Sequence, residues 1–169
     1  HGVGPALAVK HRSGGKTYAV HVQHPRAGLK QFDLIAAPKH DRLEGANVIS
    51  TLGAVHRVTQ ERLQREGTIW ADRLSQLPHP RVAVILGGTN GVYRFGKAEA
   101  SALGLLLRRM AEQDGVGLML TPSRRTGREQ IEAIAQALEG TGAYIWDMET
   151  GDNPYPGILA LADHILVTC

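Results

Sequence analysis

An unbroken apolar run ending in two glycines, Arg81-Val82-Ala83-Val84-Ile85-Leu86-Gly87-Gly88-Thr89-Asn90-Gly91, constrains this chain more than any other feature. Alternating strands bury one face, whereas a continuous Val/Ile/Leu run reads as a parallel strand covered on both. Glycines at its carboxyl end let backbone amides approach a ligand closely. The helix predicted next places that turn where open α/β sheets bind phosphates.

The rest of the chain supports an α/β assignment. Strands are predicted at 17–23, 32–36, 48–52, 118–121, 144–146 and 165–168, the last reading as a buried strand that runs to Cys169. A short helix is expected at Pro5–Val9, and a second one starts at Thr59, with Gly67 as a candidate end and residues 70–77 continuing as helix or loop. A helix near 97–113 carries Leu103, Leu106, Leu107 and Met110 as one buried stripe. Thr126-Gly127-Arg128-Glu129 has the spacing of a capping box, opening a helix with Ile131, Ile134, Ala135 and Leu138 inward and Gly140 at its end. Asn153-Pro154 reads as an N-cap with a first-turn proline. Leu77-Pro78-His79-Pro80 suits neither a helix nor a central strand, so the reading places a linker there, between units 1–77 and 78–169.

Composition excludes several classes. Of 169 residues, 43% are hydrophobic, enough for a core. The net charge of +3 favours anionic ligands, but aromatics are 5% and no Lys/Arg run is dense, so nucleic acid is not expected. No apolar run approaches the about 18 residues of a membrane span, and the first residues lack the pattern of a signal peptide. The single cysteine, Cys169, allows no internal disulfide and fits a reducing compartment, so a cytoplasmic location is expected. The ends of the chain read as cut from a longer protein.

Candidate binding residues lie at the carboxyl ends of three successive strands. Gly87, Gly88, Thr89 and Asn90 follow the first; the bland reading is a tight turn needing glycine for geometry alone. Gly91 to Ala98 nearly matches G-x-x-x-x-G-K-[ST], but Ala98 has no hydroxyl for magnesium. Ser123, Arg124 and Arg125 follow the next strand, where fixed donors, a helix dipole and guanidiniums suit an anion. Thr126 is assigned to the cap. Asp147, Glu149, Asp152 and Asn153 follow the third strand and are read as a polar loop in which the carboxylates suit ribose hydroxyls or a metal; Asn153 is kept among the binding residues, with a cap and a solvated acidic loop as the bland reading for Asp152 and Asn153. In an open sheet these loops share one rim. No metal site is expected, since His21 and His24 would point to opposite faces of a strand. Asp41 and His56 end strands in the first unit and are the candidate acid/base groups.

Several stretches resemble the mitochondrial-fission "elongated mitochondria" family. They are Gln23-His24-Pro25-Arg26, Phe32-Asp33-Leu34-Ile35, Pro38-Lys39-His40-Asp41, Thr51 to Thr59, Val84 to Gly88, Tyr93-Arg94-Phe95, Thr121 to Thr126, Trp146-Asp147 and Asn153 to Asp163. The resemblance implies a GT-B glycosyltransferase-like architecture of two Rossmann-like units, the first incomplete here. It also implies a nucleotide-sugar site with the nucleotide sugar as substrate, no separate cofactor, and an acceptor the sequence does not name. The alternatives it leaves are a non-enzymatic scaffold, as in the plant members that recruit a dynamin-related protein, or a nucleoside-diphosphate-sugar epimerase. A protein partner or homo-oligomer fits the exposed sheet edge.

Overall fold

The structure is a computed structural model that describes residues 2–149 and 151–168. Cys169, expected at the end of the last strand, lies outside the described residues. The chain forms two compact units that part between Arg57 and Val58. The 1–77 boundary differs from this division by one helix, for a reason that lies in packing.

In the first unit, α1 (Val3–Arg12) precedes β1 (Val20–Val22), β2 (Leu34–Pro38) and β3 (Val48–Thr51). The strands are parallel in the order β1-β2-β3. Single-turn 3-10 segments, Leu29–Gln31 and Lys39–Asp41, stand between the strands where a doubly wound sheet carries full helices. One face holds a small core of Ala19, Phe32, Ile35 and Ala37, backed by Val3 and Leu7 of α1. Val20, Val22 and Ile49 are exposed. Asp33 anchors the unit: its Oδ2 accepts from Lys10 Nζ at 2.7 Å and from the Ala19 amide at 2.7 Å. The Lys10 bond, then the Ala19 amide, hold its pKa below the ordinary carboxylate value.

The second unit is a three-layer α/β sandwich built from α2 (Gln60–Leu74), β4 (Arg81–Leu86), α3 (Lys97–Gln113), β5 (Gly117–Pro122), α4 (Arg128–Ala137), β6 (Tyr144–Ile145), α5 (Tyr155–Leu161) and β7 (His164–Val167). Its four strands are all parallel in the order β6-β5-β4-β7. Helices α3 and α4 cover one face over Val82, Val84, Leu118 and Leu120. On the other, α2 and α5 enclose Ala83 and Met119 beneath Trp70, Leu74 and Ile158.

This second layer explains where the sequence reading and the structure differ. Thr59 caps α2 as expected, its side chain accepting from the Arg62 amide. Gly67 does not end the helix. A Cβ there would lie 3.3 Å from Ala160 Cβ, so glycine serves the close approach of α2 to α5. The helix continues to Trp70 and Leu74, which pack on the second sheet and carry the segment into that unit. Leu106 is exposed, because the buried face of α3 runs through Ala100, Gly104 and Leu107. On β7, the outer strand of the sheet among the described residues, Ile165 and Val167 are 54% and 66% exposed. The helix α1 is longer than its predicted Pro5–Val9 core.

Candidate functional site

The order β6-β5-β4-β7 fixes where a ligand site belongs. Chain order runs outward from β4 to β5 to β6, then returns across the sheet so that β7 pairs with β4. Helix α3, which follows β4, covers one face, and α5, which leads into β7, covers the other, so strand order reverses between β4 and β7, the position beyond whose carboxyl ends open α/β sheets bind ligands. Gly87 and Gly88 follow β4 directly at that point.

A hydrogen-bonded rim knits the strand ends together. The Gly87 amide donates to Thr168 Oγ1 at 2.8 Å, joining the ends of β4 and β7. The Thr126 hydroxyl donates to the carbonyls of Leu86 and Gly87, the former at 3.2 Å, joining β4 to the loop after β5. Its proton being used there, Thr126 Oγ1 accepts from the Ser123 amide at 3.0 Å and from Ser123 Oγ at 3.1 Å. The expected capping box therefore does not form. Gly127 is the N-cap of α4, and Thr126, buried at 6% exposure, is a latch between two loops. The same rim accounts for Gly88: a Cβ there would sit 2.0 Å from the Arg125 carbonyl oxygen. The glycine turn and the arginine loop are thus in direct contact.

The predicted ligand groups fall into two sets. Thr89, Asn90, Ser123 and Asn153 are engaged by their own loops. Thr89 Oγ1 accepts from the Phe95 amide at 3.0 Å, and Asn90 Oδ1 accepts from the amides of Val92 and Tyr93 at 2.8 and 2.9 Å. Ser123 is bonded to Thr126 and to the Arg125 amide. Asn153 Oδ1 accepts from the Tyr155 amide at 2.9 Å, in an Asx turn one residue ahead of the Pro154 N-cap. Arg124 and Arg125 form the second set. Both are exposed, and among the described residues neither joins an ion pair.

Beside this rim, between the start of α4 and the loop after β6, lies a hollow of about 350 Å³. Ile131, Met148 and Thr126 line it together with Arg128, Glu132, Asp147 and Glu149. Arg128 pairs with Glu149 at 2.6 Å, and Asp147 Oδ1 accepts from the Glu149 amide at 2.9 Å. Met148 has φ 68°, a left-handed conformation costly for its side chain. Sequence pattern offered no signal for that, nor for the Thr168 hydroxyl at the rim.

In the first unit, Asp41 ends the 3-10 segment after β2, 3.6 Å from His40 Nε2, and His56 lies exposed beyond β3. Because β2 and β3 are adjacent and parallel, both residues follow carboxyl ends of neighbouring strands. Among the described residues, no group of three or more His, Cys, Asp or Glu could hold a metal ion, and no helix is long and apolar enough to cross a membrane.

Two comparisons with known proteins bear on this arrangement. The family model described as mitochondrial fission ELM1 matches residues 1–169. The mitochondrial fission protein ELM1 of Arabidopsis thaliana is 27% identical over 187 residues, an alignment that covers 96% of this chain and 43% of that protein. The chain thus spans less than half the length of that relative.

Proposed function

The chain belongs to the mitochondrial fission ELM1 family, and from that premise we propose that its second unit binds the diphosphate of a nucleotide sugar beyond the carboxyl ends of β4 and β7. The observation that carries this reading is a loop with two exposed arginines, neither in an ion pair among the described residues, that packs through Arg125 against a glycine turn at the point where strand order reverses. Forked guanidiniums match phosphate oxygens, and a nearby helix start adds a favourable dipole. The Gly87 amide is bonded to Thr168 and the Asn90 amide to the Tyr93 carbonyl, so the reading assigns the anion to the Gly88 and Thr89 amides with Arg124 and Arg125. In glycosyl transfer the sugar–phosphate bond breaks and negative charge grows on the departing diphosphate. Fixed cations and amides stabilise that charge without a metal. The acceptor oxygen forms the new bond to the sugar and gives up its proton to a general base.

The second reading is a scaffold that keeps the fold and uses its surface. It is favoured by the internal bonding of Thr89, Asn90, Ser123 and Asn153, which act as loop staples. The name of the Arabidopsis relative places that protein in mitochondrial fission, and a scaffold role here would follow it. Thermal denaturation with pyrophosphate, UDP and UDP-sugars separates the two. A ligand at a hundredfold its Kd stabilises by about 2.7 kcal/mol. Stabilisation that disappears in Arg124→Ala/Arg125→Ala supports the diphosphate site, and slow hydrolysis of the bound donor supports transfer. The absence of any shift with all of these ligands overturns it in favour of the scaffold.

A further inference from the structure

The sheet of the first unit has one covered face and one open face. Ala19, Ile35 and Ala37 lie on the covered one, where Val3 and Leu7 of α1 pack. Side chains alternate along a strand, so Val20 and Val22 of β1, Leu34 and Ala36 of β2 and Ile49 of β3 share the opposite face. Register makes them contiguous: Val20 stands beside Leu34, and Val22, Ala36 and Ile49 form one row. All five are aliphatic, yet Val20, Val22 and Ile49 are 52%, 46% and 53% exposed. A parallel sheet is ordinarily buried on both faces, and in the second unit helices cover both. The described helices are all engaged elsewhere, α1 on the covered face and α2 to α5 on the second sheet.

Size and charge narrow the choice of occupant. Five aliphatic side chains, three of them about half exposed, make a patch on the order of a few hundred Å², an area that one helix covers and well short of the about 800 Å² per partner of a standard interface. That is too little to hold two copies of the chain sheet on sheet. Charge argues against two copies as well. Residues 1–57 hold eight Lys and Arg against three Asp and Glu, whereas residues 58–169 hold eleven against thirteen. Of the three acids, Asp33 is bonded to Lys10 of α1, the helix on the covered face. Exposed basic residues follow the strands that carry the open face: His24 and Arg26 after β1, Lys39 and His40 after β2, against Asp41 and Glu44 in the connection to β3. Two such surfaces repel each other, and an acidic one is drawn in.

We propose that the open face of the first sheet is the docking site for an amphipathic helix of a partner protein, with an apolar stripe laid on Val20, Val22, Ala36 and Ile49 and acidic residues along its flanks. The sheet takes this helix as it takes α1 on its other side. Removing the exposed aliphatic side chains from water drives the docking. The basic loops after β1 and β2 select the charge of the partner and speed its approach. The inference goes beyond the diphosphate reading and does not depend on it, because it uses the strands of the other unit.

The test is an NMR titration of the whole, isotopically labelled chain with two synthetic helical peptides of about 15 residues. Both carry one leucine stripe at helical spacing; one has Glu on its flanks, the other Lys. The Glu peptide should shift the amides of β1 and β3 and bind at least about tenfold more tightly than the Lys peptide, a preference that shrinks as salt rises. Val22→Glu/Ile49→Glu, at exposed positions, should weaken the Glu peptide at least about tenfold while hydrogen-exchange protection at Ile35–Ala37 persists. Should that protection be lost, Val22→Thr, which keeps the branched shape, carries the same test at about threefold. Arg26→Glu/Lys39→Glu should erase the preference for Glu over Lys. Pyrophosphate binding should be unchanged in all of these variants, so this proposal and the diphosphate reading fail separately. Failure of the Glu peptide to bind, equal binding of both peptides, or binding that the substitutions on the open face leave unchanged overturns the proposal. Binding of phosphatidylserine–phosphatidylcholine vesicles in place of the peptide, lost in Val22→Glu/Ile49→Glu, assigns the face to a membrane and overturns it too. A dimer of the parent chain in sedimentation that the same variant dissolves assigns the face to a second copy, with the same consequence.

Discussion

The two units are built from the same kind of strand yet differ in how their sheets are covered. The second buries both faces, because full helices connect its strands and α2 completes the outer layer. In the first, single-turn segments stand between the strands, and Val20, Val22 and Ile49 stay exposed. A parallel sheet gains its stability from layers on both sides. The comparison teaches that the apolar strand pattern alone does not secure a core; the connections must supply the second layer.

The largest expected effect comes from truncating the smaller core. Phe32→Ala should cost about 3–5 kcal/mol and melt β1–β3, since four buried side chains have little reserve. Loss of amide protection at Ile35–Ala37 in hydrogen exchange is the readout. Trp70→Ala should cost a similar about 3–5 kcal/mol, but the second sheet, with its opposite face intact, should persist with a lowered urea midpoint. Collapse of both units to the same degree would break the contrast.

Smaller effects sharpen it. Gly88→Ala places a Cβ 2.0 Å from a backbone oxygen that cannot rotate away. It should cost about 1–3 kcal/mol through overpacking and displace the arginine loop, with increased exchange around Arg125. Thr126→Val keeps the side chain's shape and removes the latch, at about 1–3 kcal/mol for the unsatisfied partners. If Thr126 were merely a helix cap, Thr126→Val would leave the Gly87 and Leu86 carbonyls unperturbed in the infrared amide band.

The smallest effects concern pH, and here the units are alike. Asp33 is held below its ordinary pKa of 3.8 chiefly by Lys10, and Asp163 by the Arg81 amide and then His79. A carboxylate depressed in the folded state contributes stability above its unfolded pKa and loses it as pH falls through the folded value. Acid titration of Asp33→Asn and Asp163→Asn should therefore show a shallower loss of stability below pH about 4 than the parent chain. Equal slopes would mean that these carboxylates do not couple to folding. Both are solvent-accessible, so the changes should be small.

Much of the second unit was legible residue by residue. The run Arg81–Leu86 and the helix Lys97–Gln113 stand where periodicity places them, because a doubly covered strand and an amphipathic helix leave unambiguous patterns. Gly140, at φ 81°, lies beyond α4 as a helix-ending glycine should. Thr126 and Gly67 were misread for a shared reason: each satisfies a local rule that a distant partner overrides. A threonine before an acidic residue spells a cap until a carbonyl from another strand takes its proton. A glycine spells a helix end until a neighbouring helix needs the space. The candidate site divides the same way. Arg124 and Arg125 were found from charge and position, whereas Met148 and Thr168 enter only through the folded loops.

By itself, then, the sequence determined the alternation of strands and helices, the parallel sheet and the rim on which polar loops gather, because hydrophobic period and turn chemistry are local properties. Tertiary structure alone decided which unit claims α2, which hydroxyls are engaged and that a hollow opens beside the glycine turn. Those outcomes depend on which surfaces meet across the chain, and no spacing along it records that.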